Sequence, residues 1–157
     1  MTSMPKTQTL QIDRFIRACP SDVFRVLADP DLRKSWLYDL PGAETLSFSL
    51  DFREGGYERS AFRFDGGAVF ETEVLHHRIE PDESVSCTRI LRIDGQTVST
   101  SEREMTLRPL NDGCLFRCAE RMTFHDDRDD LTRHRDMVTY LVDRLDAVIA
   151  RSLNRVA

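Results

Sequence analysis

The chain has 157 residues, of which 40% are hydrophobic and 31% are charged. This length and balance predict one folded domain over residues 1–157, large enough to bury a core without disulfides or a structural metal. The formal net charge is -5 and no segment concentrates the basic residues, which argues against a nucleic-acid partner.

The first forty residues predict a strand followed by two short helices. Residues 1–7 are expected to form a flexible N-terminus, and residues 8–17 alternate in polarity as a strand does. The segment SDVFRVLADP then predicts a short helix with Ser21 as its N-cap, which ends at Asp29-Pro30. A second short helical turn is expected in DLRKSWL.

From residue 44 the period of the pattern changes to two, which predicts six consecutive strands. Leu46, Phe48, Leu50 and Phe52 are expected on one apolar face, as in an antiparallel sheet that is covered on one side only. Five turn signals separate the strands: Glu54-Gly55-Gly56, Asp65-Gly66-Gly67, Pro81-Asp82-Glu83, Asp94-Gly95 and Asn111-Asp112-Gly113.

The end of the chain predicts a long amphipathic helix within residues 130–156. Apolar residues recur there at spacings of three and four, from Leu131 to Leu153, with His134 in the same phase. The order of elements therefore predicts an α+β protein with the helix-grip fold. In that fold, a curved seven-stranded antiparallel sheet and two short helices surround a long C-terminal helix.

Three segments resemble a known family. IRACPSDVFRVLADPDLRKSW resembles its amphipathic opening, LDFREGGYERSAF its D-x-R-x-G-G signature, and RHRDMVTYLVDRLDAVI its closing helix. On these motifs the chain is similar to START-like, polyketide cyclase-like (SRPBCC) proteins of the group homologous to the activator of heat-shock-protein-90 ATPase. The resemblance spans about residues 8–153, and Asp136-Met137 stands where relatives commonly have Gly-Trp.

The resemblance implies a fold but leaves three functions open. The first is the binding of a small, partly apolar ligand in a cavity between the sheet and the C-terminal helix. The second is a cyclase or dehydratase-like enzyme that uses Glu120 or Glu71 with Arg103. The third is a co-chaperone-like interaction domain, which an apolar outer sheet face would favour, whereas Arg59, Arg63, Arg117 and Arg121 make that face polar.

Charged residues on predicted inward faces are the main candidates for a site. Arg103 and Glu120 lie nine residues before and eight after Asp112, so a near-symmetric hairpin sets them almost opposite each other. Arg89 is in phase with apolar neighbours, and Glu71 lies on a strand whose alternation is ambiguous. The alternatives to a ligand-orienting role are a side chain that reaches water at the sheet end, or a buried ion pair without further function.

Large apolar side chains are candidates for the wall of the cavity, although core packing explains each of them equally well. These candidates are Trp36, Phe48, Phe62, Phe64, Phe116 and Met137. No sequence motif predicts a cofactor. His76 and His77 do not predict a metal site, because they are adjacent on a strand and their side chains point to opposite faces.

Cellular context is predicted from what the sequence lacks. No apolar segment approaches the length of a membrane span, and the N-terminus has no secretory pattern. Four cysteines without C-x-x-C spacing are expected to be reduced thiols. We therefore expect a cytoplasmic protein, with a homodimer left open.

Overall fold

The computed structural model describes residues 6–154. The elements in chain order are β1 (Lys6–Ile16), α1 (Pro20–Ala28), α2 (Pro30–Leu37), β2 (Ala43–Leu50), β3 (Tyr57–Phe64), β4 (Val69–Glu80), β5 (Ser84–Ile93), β6 (Gln96–Leu110), β7 (Gly113–Phe124) and α3 (Leu131–Asn154). Residues 1–5 and 155–157, at the ends of the predicted N-terminal tail and C-terminal helix, lie outside the described residues.

The seven strands form one antiparallel sheet in the order β1-β7-β6-β5-β4-β3-β2. Six of the strands follow one another as hairpins, and β1 joins the open edge of β7. The five predicted turns connect these hairpins; Asp94-Gly95, with φ values of 49° and 80°, has the left-handed backbone that a two-residue hairpin loop requires. The predicted α+β helix-grip fold is confirmed.

Helix α3 covers the concave face of the curved sheet. Its apolar stripe includes Val138, Val142, Leu145 and Ile149, which are buried in the core. Asp130 precedes the helix, and its carboxylate accepts a hydrogen bond from the Arg133 backbone N–H at 2.8 Å, which satisfies one of the free donors of the first turn. Burial of this stripe against the sheet fixes where α3 crosses the concave face.

Three local predictions need correction. Cys19, not Ser21, is the N-cap of α1, because Pro20 occupies the first helical turn, where its missing N–H costs nothing. Leu46 is 44% exposed, because a β-bulge between Thr45 and Ser47 shifts the alternation of β2. Lys6 and Thr7, expected in a flexible tail, pair with Phe124 and Thr123 of β7.

Candidate functional site

A cavity of about 410 Å³ lies between the concave face of the sheet and α3. Strands β3, β4 and β5 contribute most of its floor, and the end of α2 with the following loop closes one side. Its apolar wall includes Leu37, Phe62, Phe64, Phe70, Met137 and Leu141. The predicted location of a cavity, between sheet and C-terminal helix, matches the structure.

One end of the cavity is an aromatic cluster, formed by Tyr38, Phe62, Phe64 and Phe70. Phe62 and Phe70 are cross-strand neighbours on β3 and β4, and their rings stack with centroids 5.6 Å apart. Phe64 meets Phe70 edge to face at 6.2 Å, and Tyr38 tilts against Phe62 at 5.8 Å. The hairpin between β3 and β4 therefore assembles an apolar aromatic surface at this end.

The central charged pair is Arg103 with Glu120. The two residues are register partners on β6 and β7, and Arg103 Nη2 donates to Glu120 Oε1 at 2.8 Å. The Glu120 side chain is fully buried, whereas 15% of the Arg103 side chain remains accessible where it lines the cavity. The predicted inward-facing pair is confirmed, and its contact with a ligand stays a prediction.

Three donors converge on one oxygen of Glu120. Oε1 accepts from Arg103, from His134 Nε2 of α3 at 3.1 Å, and from Cys118 Sγ at 3.8 Å. Burial alone would raise the pKa of Glu120, but the charge of Arg103 and the hydrogen bond from His134 outweigh it and hold this pKa well below its usual range. Burial also raises the pKa of the Cys118 thiol to about 12. Glu120 is therefore an ionised anchor that accepts only.

Hydrogen bonding around this pair is incomplete. Within residues 6–154, Arg103 Nε, Glu120 Oε2 and Ser101 Oγ are buried polar atoms without a hydrogen-bond partner. Buried polar groups are nearly always bonded, and each unbonded one needs an explanation. Three such atoms within one cross-strand neighbourhood distinguish this part of the sheet from the rest of the described interior.

Arg89 lies on β5 beside the pair. Its register partner on β6 is Ser101, two residues before Arg103 on the same face, and its side chain lines the cavity. Burial, and next the like charge of Arg103, lower the pKa of Arg89. Unlike Arg103, it forms no ion pair with any carboxylate of the described chain.

A second buried pair, Arg33 with Glu58, was not predicted from the sequence. Arg33 Nη2 donates to Glu58 Oε1 at 3.1 Å, Nε donates to the other carboxylate oxygen, and Nη1 donates to the Leu27 carbonyl at 3.1 Å. The two residues are 3% and 1% exposed, and they fasten α2 to β3. Glu58 alternates in phase with Ser60 and Phe62, a signal that could have placed it on the inner face.

Glu71 is a site prediction that the structure places elsewhere. Its neighbours Phe70 and Thr72 line the cavity, so alternation along β4 turns Glu71 to the opposite face of the sheet. The sequence of β4 does not show which face is buried, because both faces carry apolar residues. Phe70 and Val74 face inward, whereas Val69 and Leu75 lie on the opposite face.

The predicted apolar wall residues divide into two groups. Phe62, Phe64 and Met137 line the cavity, and Met137 remains 43% exposed on α3. Trp36 and Phe116 lie instead in the core cluster, as the packing alternative expected. Phe48 lies behind the wall, with its ring 5.1 Å from that of Tyr38.

The four arginines predicted on the polar outer face of the sheet all form ion pairs. Arg63 pairs with Glu44 at 2.9 Å and Arg117 with Asp13 at 2.8 Å, and Arg59 and Arg121 also have carboxylate partners. The part of the chain that the structure describes holds no group of three potential metal-ligating side chains. None of its helices has the length and apolar character needed to cross a bilayer.

The family model described as activator of Hsp90 ATPase homolog 1-like protein matches residues 17–150. The chain belongs to this family. The resemblance inferred from the opening, the D-x-R-x-G-G motif and the closing helix is thereby confirmed. No curated protein matches the chain.

Solved structures support the same fold. An uncharacterized protein from Rhizobium leguminosarum has a TM-score of 0.90 at 22% identity, over 94% of this chain and 97% of that chain. The Mll3558 protein from Rhizobium loti is 31% identical, with a TM-score of 0.82 over 93% of this chain and 99% of its own. CalU16 from Micromonospora echinospora has a TM-score of 0.62 at 21% identity, over 95% of this chain and 80% of its own. The likenesses to the first and third show a common fold alone.

Proposed function

We propose that the protein binds a small, partly apolar ligand in the cavity between the sheet and α3. The single observation that carries the proposal is the cavity of about 410 Å³ itself, which is lined mainly by aromatic and aliphatic side chains, with five arginines and two carboxylates among them. Ligand sites of proteins have this size and composition. Protein interiors are otherwise close-packed, with few voids larger than a water molecule.

Binding is better supported than catalysis by Glu120. A general acid or base at neutral pH needs a pKa near the working pH. The pKa of Glu120 is displaced in the opposite direction, because Arg103 and His134 stabilise the carboxylate against the effect of burial. Glu71, the other carboxylate of the enzyme hypothesis, lies on the far face of the sheet.

Binding is also better supported than a protein-docking role for the outer face of the sheet. The arginines of that face are engaged with carboxylates of neighbouring strands, and docking patches are typically more apolar. The name of the family describes an activity of its namesake and is not carried over to this chain. The single-domain organisation, the cytoplasmic location and the oligomeric state remain predictions.

Native mass spectrometry of gently purified protein tests the proposal. We expect an additional mass that is lost on denaturation and that identifies the ligand. Fluorescence of the neutral apolar probe N-phenyl-1-naphthylamine provides a second measurement, since the probe brightens when it leaves water for an apolar cavity.

A variant that fills the cavity makes the fluorescence measurement specific. Leu141→Trp places a larger ring on the cavity side of α3, and Tyr140→Trp adds a similar ring on the exposed side as the matched control. We expect Leu141→Trp to abolish probe binding and Tyr140→Trp to preserve it. Equal binding to both variants would place the probe outside the cavity and would contradict the proposal.

A further inference from the structure

We propose that the ligand of this cavity is an organic monoanion, a carboxylate on an apolar body, and that Arg89 receives the carboxylate with Arg103 beside it. This inference rests on the proposed function, because it specifies the chemical class of the ligand for the same cavity. Two observations support the inference: the distribution of charge in the cavity wall and the position of the Arg89 guanidinium.

Arginine predominates among the charged groups of the wall. Five arginines and two carboxylates line the cavity. Four of the five arginines form ion pairs: Arg33 with Glu58, Arg103 with Glu120, Arg128 with Asp126 and Arg133 with Asp130. Within residues 6–154, Arg89 is the one arginine of the wall without an ion pair.

The remaining wall carboxylate, Asp129, is engaged elsewhere. Its Oδ2 accepts from Ser99 Oγ at 3.2 Å, and its Oδ1 accepts from the Asp130 backbone N–H at 2.9 Å. Arg89 is partly buried and lines the cavity, and no carboxylate within residues 6–154 forms an ion pair with it. An anion in the cavity would therefore gain a charge-assisted hydrogen bond at Arg89 that the protein itself leaves unused.

The two guanidinium groups are placed to act on one carboxylate. Arg89 lies opposite Ser101, and Arg103 follows Ser101 by two residues on the same face of β6. Such diagonal neighbours on adjacent strands are about 7–8 Å apart, which leaves room for a carboxylate between two long side chains. The ion pair with Glu120 holds Arg103 in place, and 15% of the Arg103 side chain remains accessible in a residue that lines the cavity. A planar guanidinium matches a carboxylate with two parallel hydrogen bonds.

The apolar part of the cavity wall indicates the chemistry of the uncharged part of the ligand. At the other end of the cavity, Phe62 and Phe70 stack on each other, and Phe64 meets Phe70 edge to face. The cavity volume of about 410 Å³ lies at the lower end of the range found for small-molecule sites, so a compact ligand is expected. An aryl-substituted short-chain acid meets these requirements, with its ring on the phenylalanines and its carboxylate at Arg89.

The test compares 4-phenylbutyrate with its neutral analogue 4-phenyl-1-butanol, as competitors that displace N-phenyl-1-naphthylamine from the whole protein. A charge-assisted hydrogen bond adds enough affinity that we expect the acid to bind about tenfold tighter than the alcohol, or more. Arg89→Met should remove this preference while leaving the affinity for the alcohol unchanged.

Arg92→Met is the matched control. Arg92 lies on the same strand, but it pairs with Glu73 on the opposite face of the sheet, so its loss removes the same charge without altering the cavity. We expect this variant to keep the wild-type preference for the acid. Arg89→Gln replaces Arg89→Met if circular dichroism shows that the methionine variant does not fold.

The outcomes separate the two proposals. Equal affinities of acid and alcohol for the wild type would overturn the anion inference and leave the proposed function intact. A preference for the acid that survives in the Arg89 variants would overturn the role of Arg89. If neither the probe nor either competitor binds the wild type, the proposed function fails together with this inference.

Discussion

Two buried arginine–glutamate pairs border the same cavity, and they differ in how completely their polar atoms are bonded. Every side-chain nitrogen of Arg33 donates a hydrogen bond, two of them to Glu58 and one to the Leu27 carbonyl. In the second pair, Arg103 Nε and Glu120 Oε2 have no partner in the described part of the chain. Complete hydrogen bonding is typical of a structural link, whereas each unbonded buried group needs an explanation, which the proposed ligand would supply here.

The surroundings of the pairs lead to the same distinction. Arg33 and Glu58 join two elements, α2 and β3, which are far apart in sequence. Arg103 and Glu120 join strands that already exchange backbone hydrogen bonds along the whole hairpin. The first pair therefore adds a connection that the fold would otherwise lack, and the second adds chemistry to a surface that is already fixed.

The largest expected effect is the loss of stability in Arg33→Met. This change leaves Glu58 buried without its cationic partner, which costs about 3–5 kcal/mol of the free energy of unfolding. Urea unfolding measures the loss. A loss below about 1 kcal/mol, the range of a surface pair, would contradict the structural role.

A double variant sharpens this prediction. Arg33→Met combined with Glu58→Leu removes both charges, and apolar replacement of a buried pair is often neutral or stabilising. We expect the double variant to recover most of the stability lost in Arg33→Met. Further loss in the double variant would mean that packing around Arg33, rather than its charge pairing, stabilises the fold.

Arg103→Met is expected to have a smaller effect on stability and a larger effect on binding. His134 still donates to Glu120 in this variant, so the loss of unfolding free energy should be about 1–3 kcal/mol. Displacement of N-phenyl-1-naphthylamine by 4-phenylbutyrate should weaken at the same time. Unchanged affinity for this acid in a folded Arg103→Met protein would remove Arg103 from the site.

The charge of Glu120 predicts a pH dependence. Its pKa in the folded protein lies below the ordinary value of 4.5, so the ionised carboxylate stabilises the fold above about pH 4.5. That contribution is lost as the pH falls below 4.5 toward the lower folded pKa. Unfolding of the wild type and of Glu120→Gln, compared near pH 7 and near pH 3, should give a stability difference that shrinks in acid. A difference that is constant or grows in acid would contradict the ion pair.

The smallest expected effect is that of Glu71→Gln. Because Glu71 lies on the face of β4 opposite the cavity, its loss should leave the affinity for 4-phenylbutyrate unchanged within error. The same displacement measurement tests this expectation. A clear loss of affinity would mean that the ligand binds on the outer face.

The fold and one of the two pairs were predictable from the sequence because both depend on local pattern. Turn residues fix the hairpins, and counting from the turn at Asp112 places Arg103 opposite Glu120. His134 was recognised on the buried face of α3, but the sequence contains no signal that this face meets Glu120. Such a contact depends on where the helix crosses the sheet.

The rest of the site depends on contacts between elements that are distant in sequence. Arg33 lies in a helix of eight residues and Glu58 in a strand that begins twenty residues after that helix ends. Neither residue type nor spacing indicates that they touch. The bulge in β2 was also hidden, since Leu46 fits an uninterrupted alternation in the sequence and is exposed only because Thr45 and Ser47 shift the register.

A crystal structure of the protein with 4-phenylbutyrate tests the central claim most directly. We expect the carboxylate within hydrogen-bond distance of Arg89 and the phenyl ring against Phe62 and Phe70, with the Arg33–Glu58 pair unchanged. Binding of the acid at the outer face, or an empty cavity at saturating concentration of the acid, would contradict it.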